Sequence, residues 1–442
     1  MEETVRTRFA PSPTGFMHLG GLRTALYAYL YAKSHNGKFI LRIEDTDQQR
    51  YVEGAVQVIY DSLKGSGLYY DEGPDIGGDY GPYVQSERKA IYAEYAKKLI
   101  DLGGAYYCFC SKERLESLTD ANGNRKYDKH CLHLPKEEVE RRIAAGEPYV
   151  IRQNIPTEGT STYEDLIYGT INIDYSELED NILIKSDGMP TYNFANVVDD
   201  HLMGITHVIR GTEYLSSTPK YNLMYDAFGW KRPVYIHLPP IMKDATRKLS
   251  KRYGDANFDD FVNKGYLKEA IINYVALLGW SPKENVEKMD MQDMIRLFSL
   301  DGISKSQSIF DEAKLRWLNG EYIRAMTPEE FYEAALPFLR KSAVNGKFDL
   351  KRIAALLQQR VETLGEIPEK IEWLAELKDY DLSLFDNKKN KTNAEVAKTL
   401  LPQIKEYLLS VDDYGNDALF AGLSAKAADF GVKSGAIFWV LR

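Results

Sequence analysis

The sequence is poor in cysteine, with three in 442 residues. That is too few to staple a secreted, disulfide-built fold. A leader is missing too: Met1-Glu2-Glu3-Thr4-Val5-Arg6 holds no apolar stretch, so a secretory signal is not expected. No apolar run approaches the ~20 residues that cross a bilayer as a helix, so no membrane contact is expected. Nor is there a surplus of positive charge. Lys and Arg number 56 against 65 Asp and Glu, for a net charge of −9. This excludes a uniformly basic nucleic-acid binder; such a partner would have to meet a local basic surface. No G-x-x-x-x-G-K-[ST] loop occurs, and Gly65-Ser66-Gly67 lacks the third glycine of a dinucleotide fingerprint. A reduced, cytoplasmic protein outside those phosphate-binding families is expected.

What is present is ordinary globular material: 44% hydrophobic, 27% charged and 12% aromatic residues, with 31 Tyr. The length exceeds one ordinary core, so about two to four domains are expected. Val5, Thr7 and Phe9 alternate with Arg6 and Arg8, which predicts a strand. Two prolines and a glycine in Ala10-Pro11-Ser12-Pro13-Thr14-Gly15 end it in a loop. A helix from about Leu22 to Lys33 follows, then an apolar strand from Lys38 to Ile43. Strand, crossover helix and strand of this length form a βαβ unit, hence a parallel sheet. From about Tyr106 to Tyr149 the chain changes character, holding every cysteine and the polar run Asp120-Ala121-Asn122-Gly123-Asn124. This reads as an insertion. Strand-like runs return at Asn181-Ile182-Leu183-Ile184 and His207-Val208-Ile209-Arg210. Beyond about Trp317 the pattern is helical, and Thr327-Pro328-Glu329-Glu330 is a capping box with Pro at the first helical position.

Two segments carry phosphate chemistry. In an open parallel sheet, ligands sit beyond the carboxyl ends of strands, near a helix N-terminus. The stretch from Arg8 to Gly21 has that place. Gly20 and Gly21 let backbone approach phosphate oxygens, and His18 can hydrogen-bond a phosphate as charge develops. Alone, His-x-Gly-Gly reads more readily as a plain loop with a structural histidine. The second segment is Lys248-Leu249-Ser250-Lys251-Arg252, preceded by Arg247: four cations around one serine, able to neutralise a triphosphate. Ile303-Ser304-Lys305-Ser306 has a similar flavour with fewer cations. The first is preferred because it follows the strand-like Val234-Tyr235-Ile236-His237.

Together these segments resemble the two signature loops of class I aminoacyl-tRNA synthetases, the first in the form that glutamyl enzymes carry. Similar to the same family are Arg42-Ile43-Glu44-Asp45-Thr46-Asp47, Asp71-Glu72-Gly73-Pro74 and Gln85-Ser86-Glu87-Arg88. Further along come Ser186-Asp187-Gly188-Met189-Pro190-Thr191-Tyr192, Asn196-Val197-Val198-Asp199-Asp200-His201, and Phe310-Asp311 leading to Trp317-Leu318-Asn319. The resemblance is dense up to about residue 325. Departures are Gly21 where many class I enzymes have His, Leu249 for Met, and Arg252 for the final Ser.

The resemblance implies an α/β fold: a Rossmann-like class I catalytic domain with a parallel sheet, split as 1–105 and 191–245 around an inserted zinc-containing acceptor-binding module, 106–190. A signature-loop and stem-contact region, 246–325, and an α-helical anticodon-binding region, 326–442, would follow. Relatives continue for several tens of residues past Val440-Leu441-Arg442, so that region is expected to be truncated. A monomer acting on ATP with Mg²⁺, L-glutamate and tRNA-Glu is expected. Activation of glutamate would displace pyrophosphate, and the acyl group would pass to the terminal adenosine of tRNA. In the family this activation waits for bound tRNA.

Glutamate needs a carboxylate for its ammonium and cations for its carboxylates. Arg8 and Arg210, at strand ends, are suitable forks, and Glu44 a suitable acid. The resemblance assigns Arg8, with Tyr192 and Asn196, to the side-chain carboxylate and Arg210 to the α-carboxylate. Glu44, with Ser12 and the backbone of Ala10, takes the ammonium. Catalytic charge stabilisation would fall to His18, Lys248 and Lys251, and ATP binding to His18, Gly20, Gly21, Glu213 and Lys251. Cys108-Phe109-Cys110 and Cys131-Leu132-His133 have the spacing of a tetrahedral Zn²⁺ site. The resemblance places a structural zinc here, with His133 the favoured fourth ligand and Tyr127 the competitor. Local basic clusters at Arg340-Lys341, Lys347 with Lys351-Arg352, and Lys388-Lys389-Asn390-Lys391 carry no individual assignment.

Two other readings stand beside this one. A shorter paralogue that glutamylates queuosine in tRNA-Asp lacks the helical C-terminal domain, which here follows about Gly320. A non-catalytic tRNA-binding protein would be signalled by loss of His18 or Lys251, and both are present.

Overall fold

The structure, a computed structural model, describes residues 3–14, 17–118, 126–249 and 257–442. The βαβ unit expected at the N-terminus forms from β1 (Arg6–Phe9), α1 (Leu19–Ser34) and β2 (Lys38–Leu41). The strands pair in parallel, from Arg6 opposite Lys38 to Phe9 opposite Leu41. Alternation in β1 suggested one polar face, yet the whole strand is buried, as strands of a helix-covered parallel sheet are. Its arginines tolerate burial because each meets a carboxylate. Arg6 Nη1 lies 2.7 Å from Glu72, and Arg8 Nε lies 3.1 Å from Asp200.

After α2 (Ala55–Gly65) and α3 (Lys89–Asp101), β3 (Ala105–Cys108) opens a small antiparallel sheet. Helices α4 (Lys112–Ser117) and α5 (Lys136–Ala144) separate it from its partner β4 (Val150–Gln153). The hairpin of β5 (Thr160–Asp165) and β6 (Gly169–Asp174) comes next, then β7 (Ile182–Ile184), which pairs with β4. The expected insertion, 106–190, does not keep to itself. Asp165 at the end of β5 pairs in parallel with Tyr235 of the main sheet.

That sheet is completed after α6 (Tyr192–Leu202) by β8 (His207–Gly211), α7 (Thr218–Phe228) and β9 (Val234–Leu238). β8 and β9 are parallel, His207 facing Val234. β1 lies beside β8, since the Thr206 amide donates to the Arg6 carbonyl at 3.0 Å. Placed edge to edge, the β2-β1 pair and the β8-β9-β5-β6 sheet give the order β2-β1-β8-β9, with the β5–β6 hairpin beyond. Apolar α1 is covered throughout its length. Leu22, Leu26, Tyr27 and Leu30 are buried among Ile271, Tyr274, Val275 and Trp280.

Past β9 the chain forms β10 (Ile241–Met242), α8 (Phe258–Asn263), α9 (Lys268–Leu277), α10 (Met291–Leu297), β11 (Ser308–Ile309) and α11 (Glu312–Ala325). Helix α12 (Pro328–Lys341) starts at the expected capping box. The Thr327 amide donates to Glu330 Oε2 at 2.8 Å, and the Glu330 amide to Thr327 Oγ1 at 3.3 Å. It packs with α13 (Leu350–Leu357). The chain divides into two compact units, residues 1–341 with 348–368, and residues 342–347 with 369–442. Within the second, α15 (Ala394–Leu409), α16 (Asn416–Asp429) and α17 (Ser434–Leu441), which follow α14 (Ile367–Ala375), close around Leu400, Ile404, Leu423 and Ile437. Among the described residues no helix is long and apolar enough to cross a membrane.

A buried polar knot ties the first unit together under its sheet. Asp199 of α6 accepts from Arg88 Nε at 2.7 Å, the Tyr92 hydroxyl at 2.8 Å and Gln85 Nε2 at 2.9 Å. Removing that carboxylate strands a buried guanidinium. Asp199→Ala is expected to cost about 3–5 kcal/mol, read as a lower urea midpoint for the first unit. A cost under about 1 kcal/mol, the range of exposed pairs, would show that the knot is not structural.

Candidate active site

A cavity of about 570 Å³ opens where the carboxyl ends of β1, β2, β8 and β9 meet the start of α1. Phe9 ends β1 and Ala10 follows it, Glu44 lies past β2, Arg210 and Gly211 end β8, and Leu238 ends β9 with Pro239 after it. All of them line it. The expected residues Arg8, Ala10, Ser12, His18, Gly20, Gly21, Glu44, Tyr192, Arg210, Glu213 and Lys248 line this one space. Asn196 does not. It is buried, and its Nδ2 donates to the Tyr192 carbonyl at 2.6 Å, a bond to its own helix four residues back. Lys251, with Ser250 and Arg252, lies outside the described residues, as do Gly15 and Phe16.

The histidine of the first loop caps the helix that follows it. Nδ1 of His18 accepts the Gly21 amide at 3.2 Å. A Cβ at Gly20 would press on that imidazole at 3.1 Å, so glycine keeps the ring seated. Lys248 bridges Met242, and His18 bridges Asn257, on either side of the undescribed stretch 250–256. Arg247, counted above among the phosphate cations, is instead drawn to Asp244, with Nε 2.7 Å from its carboxylate, and does not line the cavity. Lys305 of the similar downstream segment is also absent from the lining.

The charged floor is prearranged. Arg8, which lines the cavity, binds Asp200 through two nitrogens, Nε at 3.1 Å and Nη2 at 3.2 Å, and Nη1 stays outside that pair. Asp200 also accepts Arg42 Nη1 at 2.8 Å, and Arg42 Nη2 donates to Glu44 Oε1 at 3.0 Å. Burial pushes the Asp200 carboxyl up, but Arg8 and Arg42 outweigh it and hold it below the usual range. At Glu44 burial wins over Arg42 and Arg8, and its pKa is pushed up to about 7. Burial keeps the Tyr192 phenol protonated, hence a donor. Sequence reasoning passed over Arg42 and Asp200 as functional residues. The signal available was two adjacent acids, Asp199-Asp200, directly after the apolar pair Val197-Val198 in a helix. Gly211 was also missed: a Cβ there would collide with the Glu213 carboxylate.

In the insertion the three thiols of Cys108, Cys110 and Cys131 lie within 4.8 Å of one another. Cys110 and Cys131 Sγ are 3.5 Å apart, and the Tyr127 hydroxyl is 3.4 Å from Cys108 Sγ and 3.5 Å from Cys110 Sγ. His133, the favoured fourth ligand, does not join the group. It follows Cys131 by two places in a 3₁₀ turn, His130–His133, where three residues per turn point it elsewhere. Tyr127 reaches back because Lys129 takes a left-handed conformation, φ 57°, and its hydroxyl accepts the Cys131 amide at 3.1 Å. Arg152 and Arg114 donate to Cys108 and Cys110 at 3.3 and 3.6 Å. The Cys131 thiol, then Tyr127, draws the Cys108 thiol below its ordinary range.

Residues 4–317 match the family model for tRNA synthetases class I (E and Q), catalytic domain, and residues 330–442 match the model of an anticodon binding domain. The glutamate–tRNA ligase of Clostridium acetobutylicum is 57% identical, over 99% of this chain and 91% of that protein. That of Clostridium novyi is 56% identical over the same shares. A solved glutamate tRNA ligase from Elizabethkingia meningosepticum, in complex with its amino acid, superposes with a TM-score of 0.87 at 36% identity, over 99% of this chain and 92% of that one. With two family models spanning most of its length, the chain belongs to the class I tRNA synthetases of the E and Q group.

Proposed function

We infer that this chain is a glutamate–tRNA ligase, which activates L-glutamate with ATP and transfers it to the 3′ end of tRNA-Glu. The observation that carries the reading is the convergence, in one cavity, of Arg8, Glu44 and Arg210 with His18 and Lys248. The relatives at 56–57% identity are glutamate–tRNA ligases. The shorter queuosine-modifying paralogue is disfavoured by the anticodon-binding match over 330–442.

In this reading Glu44 takes the ammonium through Oε2, since Oε1 is held by Arg42. Ser12 and the Ala10 backbone assist. Arg8, through Nη1, and the Tyr192 phenol take the side-chain carboxylate; Asn196 acts only by holding Tyr192's helix turn. Arg210 takes the α-carboxylate. Gly20 and Gly21 admit the triphosphate to the start of α1, where the helix dipole favours anions. His18 and Lys248, with Lys251, stabilise charge as the α-carboxylate attacks the α-phosphorus and pyrophosphate departs. Mg²⁺ supplies further charge neutralisation when bound. Such ions are held largely by the phosphates themselves, and among the described lining residues the carboxylates are Glu44 and Glu213.

The thiol cluster fits zinc. Four ligands at ~2.3 Å around a tetrahedral ion lie about 3.8 Å apart, close to the 3.4–3.5 Å separations found here. Cys108, Cys110, Cys131 and Tyr127 would hold it, with Arg114 and Arg152 offsetting their charge. The metal's role is to close the module, not to catalyse.

Three outcomes test these assignments. The protein is expected to exchange labelled pyrophosphate into ATP when given glutamate and intact tRNA-Glu; silence from folded protein with competent tRNA would sink the ligase reading. Glu44 must be ionised to hold an ammonium, and its pKa lies near 7. The KM for glutamate should therefore fall as pH rises, being about tenfold higher at pH 6 than at pH 8. Glu44→Gln should raise KM by about 10–100-fold and flatten that profile; an unchanged profile in the variant would reassign the titrating group. Metal analysis should find about one zinc per chain, lost in Cys131→Ser and kept in His133→Ala. Zinc loss in His133→Ala with retention in Tyr127→Phe would restore histidine as the ligand.

A further inference from the structure

Arg210 differs from the arginines of the neighbouring strands. Arg6, Arg8 and Arg42 each meet a carboxylate. Arg210 is 5% exposed and meets none among the described residues. Its Nε donates to His237 Nε2 at 3.0 Å and its Nη2 to Thr218 Oγ1 at 2.8 Å. The rings of Tyr214, Tyr221 and Tyr235 lie 5.0, 4.8 and 5.5 Å from its guanidinium carbon. Every one of these neighbours is neutral. Nη1 donates to no described residue, and the side chain lines the cavity.

The donor at one end sets the tautomer at the other. A guanidinium N–H only donates, so His237 Nε2 accepts and the ring proton sits on Nδ1. Nδ1 lies 2.7 Å from Asp165 Oδ2. Asp165 is itself fixed. Its Oδ1 accepts the amides of Ile167 and Tyr168, each at 2.9 Å, and its Oδ2 accepts the His237 amide at 3.1 Å. His237 is fully buried, and burial holds its imidazole below the ordinary range.

We propose that His237, locked by Asp165 as the Nδ1–H tautomer, is a positioning residue for glutamate: it aims Arg210 at the substrate carboxylate while leaving the whole guanidinium charge to that carboxylate. A carboxylate in its place would orient Arg210 equally well, but would neutralise it, as Asp200 partly does for Arg8. An imidazole satisfies the buried donor without competing for the charge. The relay begins on the β5–β6 hairpin and ends in the main sheet, so seating of the hairpin sets the aim of Arg210. This rests on the reading that Arg210 meets a glutamate carboxylate.

The test compares His237→Met, which removes the acceptor at similar volume, with His237→Gln, whose carbonyl can accept from Arg210 while its amide donates to Asp165. Pyrophosphate exchange with tRNA present gives KM for glutamate and for ATP separately. His237→Met should raise the KM for glutamate by about 10–100-fold, the scale of a misplaced binding group, and leave that for ATP within about twofold. His237→Gln should recover most of the loss. If His237→Met does not fold, Asp165→Asn takes its place: it presents an amide to Nδ1, drives the proton to Nε2 and should raise the KM for glutamate alike. A folded His237→Met or Asp165→Asn with unchanged KM overturns the proposal, as does an equal effect of Met and Gln on both substrates. Arg210→Ala with an unaltered KM for glutamate would overturn the carboxylate reading beneath it instead.

Discussion

One buried carboxylate organises the amino-acid side of this molecule. Asp200 holds Arg8 with two bonds and Arg42 with a third, and Arg42 in turn holds Glu44. All four side chains are at most 5% exposed. A charge so deeply placed is stable only when paired and hydrogen-bonded, so none of them can move without stranding another. In the proposed reading, the cation for one end of the substrate and the acid for the other end are therefore held at fixed separation by protein. Prearrangement of this kind is where positional catalysis draws its advantage.

The second fork is built on the opposite principle. Arg8 shares its charge with an acid; Arg210 is oriented by an imidazole, a hydroxyl and three aromatic faces. The two arginines thus differ in the strength of field they offer an incoming anion, although both end strands of the same sheet. That difference suits a ligand with two unlike carboxylates, one a spectator to be recognised and one that must react.

The cysteine insertion shows how local geometry corrects a spacing argument. Cys131 and His133 are close in sequence, but a tight turn separates their directions. Tyr127, four places away, is brought back by a single left-handed residue, Lys129. The insertion is also less separate than a change in composition suggested, because its hairpin contributes Asp165 to the main sheet and to the buried relay that ends at Arg210.

Much of the fold was legible without coordinates. The strand pattern of β1, the apolar helix after a Pro-Gly loop and the capping box at Thr327 are local signals, and local hydrogen bonding honours them, although both faces of β1 are buried. The residues of both signature loops and the acid-binding set were legible as chemical types in a known order. The tertiary structure alone decided which of them converge. It excluded Asn196 from the cavity and spent Arg247 on Asp244. It also gave Arg42, Asp200 and His237 their roles. Those roles depend on partners as many as 192 positions apart in the chain, and the pairing energy of a buried charge is a property of that distant neighbour, not of the residue's own sequence surroundings.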